Sequence, residues 1–491
     1  MSLMFWLIFL ALFVCTYWLC SRRRFYALNF KIPGFFGLPL LGMALSMARQ
    51  EAILPFVQSM CKKYGSFWMS WLGPFPFLFI SEPNIVRDIL TSPHCVDKSL
   101  VYKGVANANG EGLFSISDPK WSIHRKSLNP AFGHSVLLSF IPIFNEEADK
   151  LSTIFRSKKE CRDIISVLQD FTLNTTTRTT MGLSTTSNLR SGDNKTFLNH
   201  FKCVTKCTTE MIFSPWLAFD FIRKLLGVYE PFQMAKTFIH QYAEKIIDEK
   251  LVSDEIIDLP DGGKHIFINQ AIDLMKRGIF TRQNVKHESN VVIAAAFDTT
   301  ANTISYALIL LAMHPEYQQK LFEELVSIFP DQGNFEVSYD NIQDLVYMDM
   351  VLNETMRVLS PVPLVARQVT KDVKLSNGVV LPAGLQVCID IYNMHRRKDI
   401  WGPNADLFNP DNFLPSNMEG VHPYAFIPFT KGLRNCIGWK YATLSIKVVL
   451  SKLLRNFRFY TDFKYEDLEH IESVTLRLKH VPVLSIYERD S

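Results

Sequence analysis

One cysteine constrains this chain more than any other residue. Residues Phe429 to Gly438 read Phe-Thr-Lys-Gly-Leu-Arg-Asn-Cys-Ile-Gly, so Cys436 lies in a loop with Gly432 before it, Gly438 after it and Arg434 between. A cysteine that ligates a metal must hold a thiolate, and close backbone N–H donors and positive charge lower its pKa; glycines let the backbone approach the sulfur. From Trp439 to Leu450 the pattern is helical, and the N-terminal end of that helix points its partial positive charge toward the sulfur. The other eight cysteines (15, 20, 61, 95, 161, 203, 207 and 388) are scattered, with no CxxC pair for zinc and no CxxCH for covalent haem attachment. The competing reading is a buried free cysteine at a loop-to-helix turn.

The rest of the chain supplies context for that loop. Leu3 to Cys20 are eighteen residues without a charge, enough for about 27 Å of helix, so they can span a bilayer. Arg22, Arg23 and Arg24 follow, which places the remainder in the cytosol; the region before Leu3 lacks the basic residues of a cleaved signal. Two prolines and three glycines between Lys31 and Gly42 then forbid a continuous helix and form a stiff elbow. Phe67 to Ile80 read as a β-hairpin, and Asn84 to Leu90 as a helix. Trp121 and Arg125 share one helical face, where an indole N–H beside a guanidinium suits a buried carboxylate or forms a surface cation–π pair.

Residues 135–250 are mostly helical by periodicity, with a polar loop near Ser184 to Asn194. The apolar run Phe213 to Phe238 either packs inside or rests against a membrane as a lipophilic entrance. A long helix is predicted from Arg282 to Met313, stopped by Pro315; its middle holds Ala294, Ala295 and Ala296, then Phe297, Asp298, Thr299 and Thr300. Three small residues let another group lie close, beside an acid and an alcohol able to relay protons or hold a water. Glu354 and Arg357 pair on one helical face, Pro361 to Arg367 cannot be helical, and Asn377-Gly378 marks a hairpin turn.

The decapeptide resembles the haem-binding loop of the cytochrome P450 family: Phe429, Gly432, Arg434, Cys436 and Gly438 match all five fixed positions. The resemblance extends to the Pro-rich hinge, to Trp121 and Arg125 as propionate ligands, and to the oxygen-activation segment, with Ala296 in place of the usual glycine. It covers the ExxR pair Glu354 and Arg357, and Arg367 as a further propionate contact. Asn412 stands where the family's Pro-Glu-Arg-Phe element has arginine, so Arg396 or His395 is a candidate to complete that network. The likeness is best to insect members of the family-four clan, whose haem-esterifying glutamate is replaced here by Ala295.

The resemblance implies a mainly α fold with small β-sheets, the cytochrome P450 fold, preceded by one N-terminal transmembrane helix. It divides the chain into an anchor and basic flank (1–24), a hinge (25–45) and a haem-thiolate catalytic domain (46–491). It implies haem b, non-covalent apart from the Cys436 thiolate, and insertion of one atom of O2 into a lipophilic substrate, a hormone, fatty acid or foreign compound. Asp298 and Thr299 would guide protons, while Cys436, Trp121, Arg125, Arg367, Arg434 and Phe429 would hold the cofactor. NADPH-cytochrome P450 reductase, with or without cytochrome b5, would supply electrons at the endoplasmic reticulum membrane, since the chain has no GxGxxG unit and no cysteine set for an iron–sulfur cluster. Lys431, Arg434, Lys440 and Lys447 are candidates to dock it. A haem-thiolate isomerase needing no reductase and a non-catalytic haem-binding membrane protein are the alternatives; Asp298-Thr299 argues against the first. A net charge of +4, from 52 basic and 48 acidic residues, argues against a nucleic-acid partner.

Overall fold

The computed structural model describes residues 2–38, 40–183, 191–253, 265–331, 333 and 335–489. Its axis is the long helix Arg282–Met313, which has the limits expected from sequence. Thr281 caps its start: the threonine Oγ1 accepts from Asn284 N at 3.1 Å while Asn284 Oδ1 accepts from Thr281 N at 3.0 Å. Pro315 opens the next helix, Pro315–Ile328. The long helix is apolar on most sides because it is enclosed on most sides. It meets the length and hydropathy of a membrane span, yet 78% of that window is buried, as in a core helix. Ile164–Thr180 runs against it, and Trp439–Asn456 packs beside it, bonded to Ile164–Thr180 through Tyr441 and Thr179 at 2.9 Å.

A five-stranded sheet flanks this helical core. Its order is Gly34–Phe35, Phe67–Leu72, Phe75–Ile80, Gln386–Asp390 and Leu364–Gln368. The expected hairpin is its centre, turning at Gly73, where φ is +57°. Strand Leu364–Gln368, at the far edge, places Arg367 opposite Val387. The predicted helix after the hairpin is present as Pro83–Thr91, and Asn377-Gly378 turns the short ladder of Val373–Lys374 with Val380–Leu381.

The first helix, Ser2–Asn29, continues past residue 24, so non-helical chain begins five residues later than the expected hinge. Met4 to Leu10 are exposed along it, whereas its last turn is fastened to the sheet. Tyr26 stacks on Trp71 at 5.0 Å, and Trp71 Nε1 donates to Asn29 Oδ1 at 2.9 Å. Of the expected polar loop near Ser184 to Asn194, residues 184–190 lie outside the described residues; the last four already belong to the helix Ser191–Phe213.

Candidate functional site

The Cys436 loop is closed by its own backbone. Cys436 N donates to the Phe429 carbonyl at 3.0 Å, and Asn435 N to the Gly432 carbonyl at 3.2 Å. Gly432 has φ +75°, and a Cβ there would lie 2.1 Å from the Leu90 carbonyl oxygen, so turn and packing both demand glycine. Gly438 is different: its φ is −94°, a Cβ would meet nothing within 4 Å, and the residue caps the helix Trp439–Asn456. The positive end of that helix therefore does face the cysteine. Burial pushes the Cys436 thiol up, opposed by the Gly438 backbone N–H and by the Arg125 guanidinium. Cys436 is nonetheless exposed, which suits a ligand rather than a packed core cysteine.

This corrects the expected role of Arg434. It is not the cation that lowers the thiol; its Nε donates to the Val96 carbonyl at 3.0 Å, and its other nitrogens to the carbonyls of Leu113 and Ile116. Its guanidinium lies over the Trp121 ring at 4.3 Å. Arg125 takes the place beside the loop, donating to the Asn435 carbonyl at 2.8 Å and to Asn435 Oδ1 at 3.0 Å. Trp121 and Arg125 do share the helix Lys120–Leu128, with Trp121 buried.

Around them the fold gathers buried and half-buried positive charge without an ion-paired acid. Arg367 is 1% exposed; its Nη1 donates to the Ala366 carbonyl at 3.0 Å, and its Nη2 is buried with no partner. Burial lowers Arg367 and Arg125 from the usual guanidinium range, and lowers Arg434 to about 9 with the Arg367 charge assisting. Lys98, which sequence reasoning missed, bridges to Arg367 through its backbone. Its ammonium is pulled well below the usual lysine value by burial, then by Arg367 and Arg434. Nothing local marks Lys98; only the pairing of residues 98 and 367 brings it into the group. Among the described residues none of these four cations makes an ion pair. A buried cation without a counter-charge is costly. An orphaned Nη2 and four unpaired cations around an accessible thiol fit a planar macrocycle bearing two carboxylates, which is the chemistry of haem.

On the long helix, Ala295 is exposed between half-buried Ala294 and Ala296, and Thr299 is half-exposed between buried Asp298 and Thr300. The expected acid–alcohol pair does not form one hydrogen-bonded unit. Thr299 Oγ1 donates to the Ala295 carbonyl at 2.8 Å, the back-bonding common for threonine in a helix. Asp298 is 1% exposed and turned elsewhere: Oδ1 accepts from Arg477 Nη2 at 2.7 Å and Gln169 Nε2 at 2.9 Å, and Oδ2 from Thr475 Oγ1 at 2.9 Å.

Glu354 and Arg357 lie in Val346–Val358, both fully buried. Arg357 Nε and Nη2 each donate to Glu354 at 2.7 Å, and the remaining guanidinium hydrogens reach the carbonyls of His395 at 2.8 Å, Ala405 at 2.6 Å and Leu407 at 2.9 Å. Glu354 Oε1 also accepts from Asn409 N at 2.8 Å and from Asn412 Nδ2 at 3.1 Å. Asn412 itself therefore completes the network. Arg396 does not; it turns to the carbonyls of Tyr392 and Val358, and His395 contributes through its main chain.

Of the four cations expected to dock an electron donor, Lys440 is exposed. Lys447 is 4% exposed and paired with Asp349 at 2.7 Å, Arg434 is buried, and Lys431 donates to the Pro423 carbonyl. Three Asn-X-Thr sequons in the sequence, at Asn174, Asn194 and Asn353, also acquire structural settings. Asn174, Asn194 and Asn353 all lie in helices, and Asn194 Nδ2 donates to Asn174 Oδ1 at 2.5 Å.

The chain resembles known proteins along most of its length. The sequence model described as Cytochrome P450 matches residues 32–480. A Drosophila melanogaster protein named probable cytochrome P450 313a4 is 52% identical, covering 96% of this chain and 97% of its own. Probable cytochrome P450 313a3 of the same fly is 40% identical over 98% of both chains. Its cytochrome P450 4c3 is 32% identical, over 94% of this chain and 90% of that one.

Proposed function

Since the chain belongs to the cytochrome P450 family, whose members are monooxygenases that hold haem through a cysteine thiolate, we propose that it oxygenates a lipophilic substrate with electrons from NADPH-cytochrome P450 reductase. The observation that carries the reading is the accessible Cys436 at a helix N-terminus, beside buried and half-buried cations that make no ion pair among the described residues, one of them with an orphaned nitrogen. When bound, haem supplies the activation of O2, with thiolate ligation favouring O–O cleavage. Cys436 would hold it from one side. Arg125, Arg367, Lys98 and Trp121 would hold its carboxylates, with Arg434 stacked on the tryptophan and Phe429 closing the cysteine loop. Ala295, lacking a carboxylate, leaves the haem without an ester bond.

Thr299 would handle the proton. Its Oγ1 hydrogen is directed to the Ala295 carbonyl, which leaves the oxygen lone pairs free to accept from and orient a water. Asp298 would hold the helix against Gln169, Thr475 and Arg477, and a shift of that ion pair would be needed before it passed a proton. The 46–491 region would be the catalytic domain, reached through the hinge from an anchor in the endoplasmic reticulum membrane. The exposed apolar residues of the first helix support that anchor, and exposed Phe219, Phe221, Leu225 and Leu226 support a lipid-facing entrance beside it. Lys440 on the cysteine helix, retained from the four expected, and Lys126 next to Arg125 are exposed cations available to dock a reductase.

The test is reconstitution of the full chain with reductase, NADPH and a panel of lipophiles. Wild type should consume NADPH and release oxygenated product; absence of reductase-dependent consumption contradicts the reading. Thr299→Val should keep haem and NADPH consumption while electrons drain into hydrogen peroxide. An unchanged ratio of product to NADPH would make Thr299 structural.

A further inference from the structure

Beyond the cysteine loop, the fold encloses an apolar cavity between the sheet and the helix Ser191–Phe213. Phe77, Phe79, Leu364, Ile212 and Phe213 form walls, and Glu472 and Val474 enter from the other side. The polar groups of the lining are nearly all committed. Thr209 Oγ1 donates to the Thr205 carbonyl at 3.0 Å, and the Tyr102 hydroxyl accepts from Ala366 N at 3.4 Å. Glu472 is the exception: the residue is 5% exposed, and its Oε2 is buried without a partner, the one such side-chain oxygen among the described lining residues.

The local fold holds this carboxyl in place. His470–Ser473 pairs with Thr475–Leu478 in register Glu472 to Leu476, and the turn is Val474 alone, at φ +63°. A β-branched residue in that region is strained and persists only where its surroundings impose it. The second strand imposes it: Thr475 and Arg477 bond Asp298, and Leu476 accepts from the Tyr306 hydroxyl at 2.6 Å. Arg477, the cation nearest to Glu472 in sequence, thus gives its ion pair to Asp298. Glu472 remains unpaired among apolar side chains, and burial raises its carboxyl to about 8, with Arg477 opposing the shift. At neutral pH it is mostly the un-ionised acid, a hydrogen-bond donor. An unsatisfied polar group in such a wall is destabilising unless an occupant satisfies it.

We propose that Glu472 is a specificity-determining residue, whose carboxyl donates a hydrogen bond to an acceptor oxygen of an otherwise apolar substrate. The class is a long lipophile bearing a ketone, aldehyde or ester. The proposal rests on the reading of the cavity as the path of a lipophilic substrate. It also gives the Asp298 ion pair a consequence, since that contact holds the hairpin from which Glu472 projects.

The test compares 2-dodecanone, dodecane and dodecyltrimethylammonium on the haem-loaded full chain, by equilibrium dialysis and by the shift of the haem absorption band. After correction for partitioning, wild type should prefer the ketone over the alkane by about tenfold, the value of one hydrogen bond. Glu472→Met, which keeps the length and loses the donor, should abolish that preference while binding dodecane as wild type does. Glu472→Gln, which can still donate, should retain it. A wild type that binds ketone and alkane alike, or a Met variant that keeps the wild-type ratio, overturns the proposal and leaves the lipophilic cavity standing. A preference for the ammonium ion that both variants lose overturns it in favour of an ionised carboxylate. Failure of all three probes to bind removes the cavity reading and the proposal together.

Discussion

Two groups of buried charge in this molecule contrast sharply. Around Arg357 every guanidinium hydrogen bond is made within the protein: Glu354 takes two, and three main-chain carbonyls take the rest. Around Arg367 the protein supplies four cations, no ion pair among the described residues, and one buried nitrogen with no partner. The first group is finished by folding. The second is finished only when an anion arrives, so the first should govern stability and the second cofactor retention.

The largest expected effect breaks the finished group. Arg357→Ala leaves Glu354 buried and unpaired, and should cost about 3–5 kcal/mol with or without haem. Denaturant titration of loaded and stripped protein checks this, and equal losses in both are expected. A loss confined to the loaded protein would place Arg357 with the second group instead.

A smaller effect, of opposite character, is expected at Arg367. Arg367→Met removes an unpartnered cation that opposes Lys98 and Arg434, so stripped protein should be as stable as wild type or slightly more so. Loaded protein should lose a charge-assisted contact of about 1.5–3 kcal/mol, seen as faster haem transfer to an acceptor such as apomyoglobin. Unchanged transfer rates would show that Arg367 does not face the cofactor. The smallest effect sharpens the first group: Asn412→Ala removes one of several donors to Glu354 and should cost about 1 kcal/mol, with haem transfer unaltered.

The elements that local chemistry determines were legible in the sequence. Pro315 stops the long helix, and Gly432 is demanded where the backbone turns against Leu90. The identity of partners was not. Arg434 lies two residues from Cys436 in the motif and Arg125 far upstream, and only the packing of Val96, Leu113 and Ile116 around Arg434 decides that Arg125 is the cation at the sulfur. Asp298 read as half of a relay because its neighbour is a threonine. Its partner Arg477 lies far along the chain and comes close only through a hairpin docked on the helix. Lys98 and Glu472 escaped for the same reason: a charged residue becomes unusual only when tertiary contacts bury it without a counter-charge.

The reduced protein under carbon monoxide tests the central claim, that Cys436 is the thiolate ligand of a bound haem. Wild type should show the red-shifted absorption band of thiolate ligation. Cys436→Ala should lose that band, whereas Cys388→Ala, at a buried cysteine outside the loop, should keep it. A red-shifted band that survives in Cys436→Ala would contradict the account.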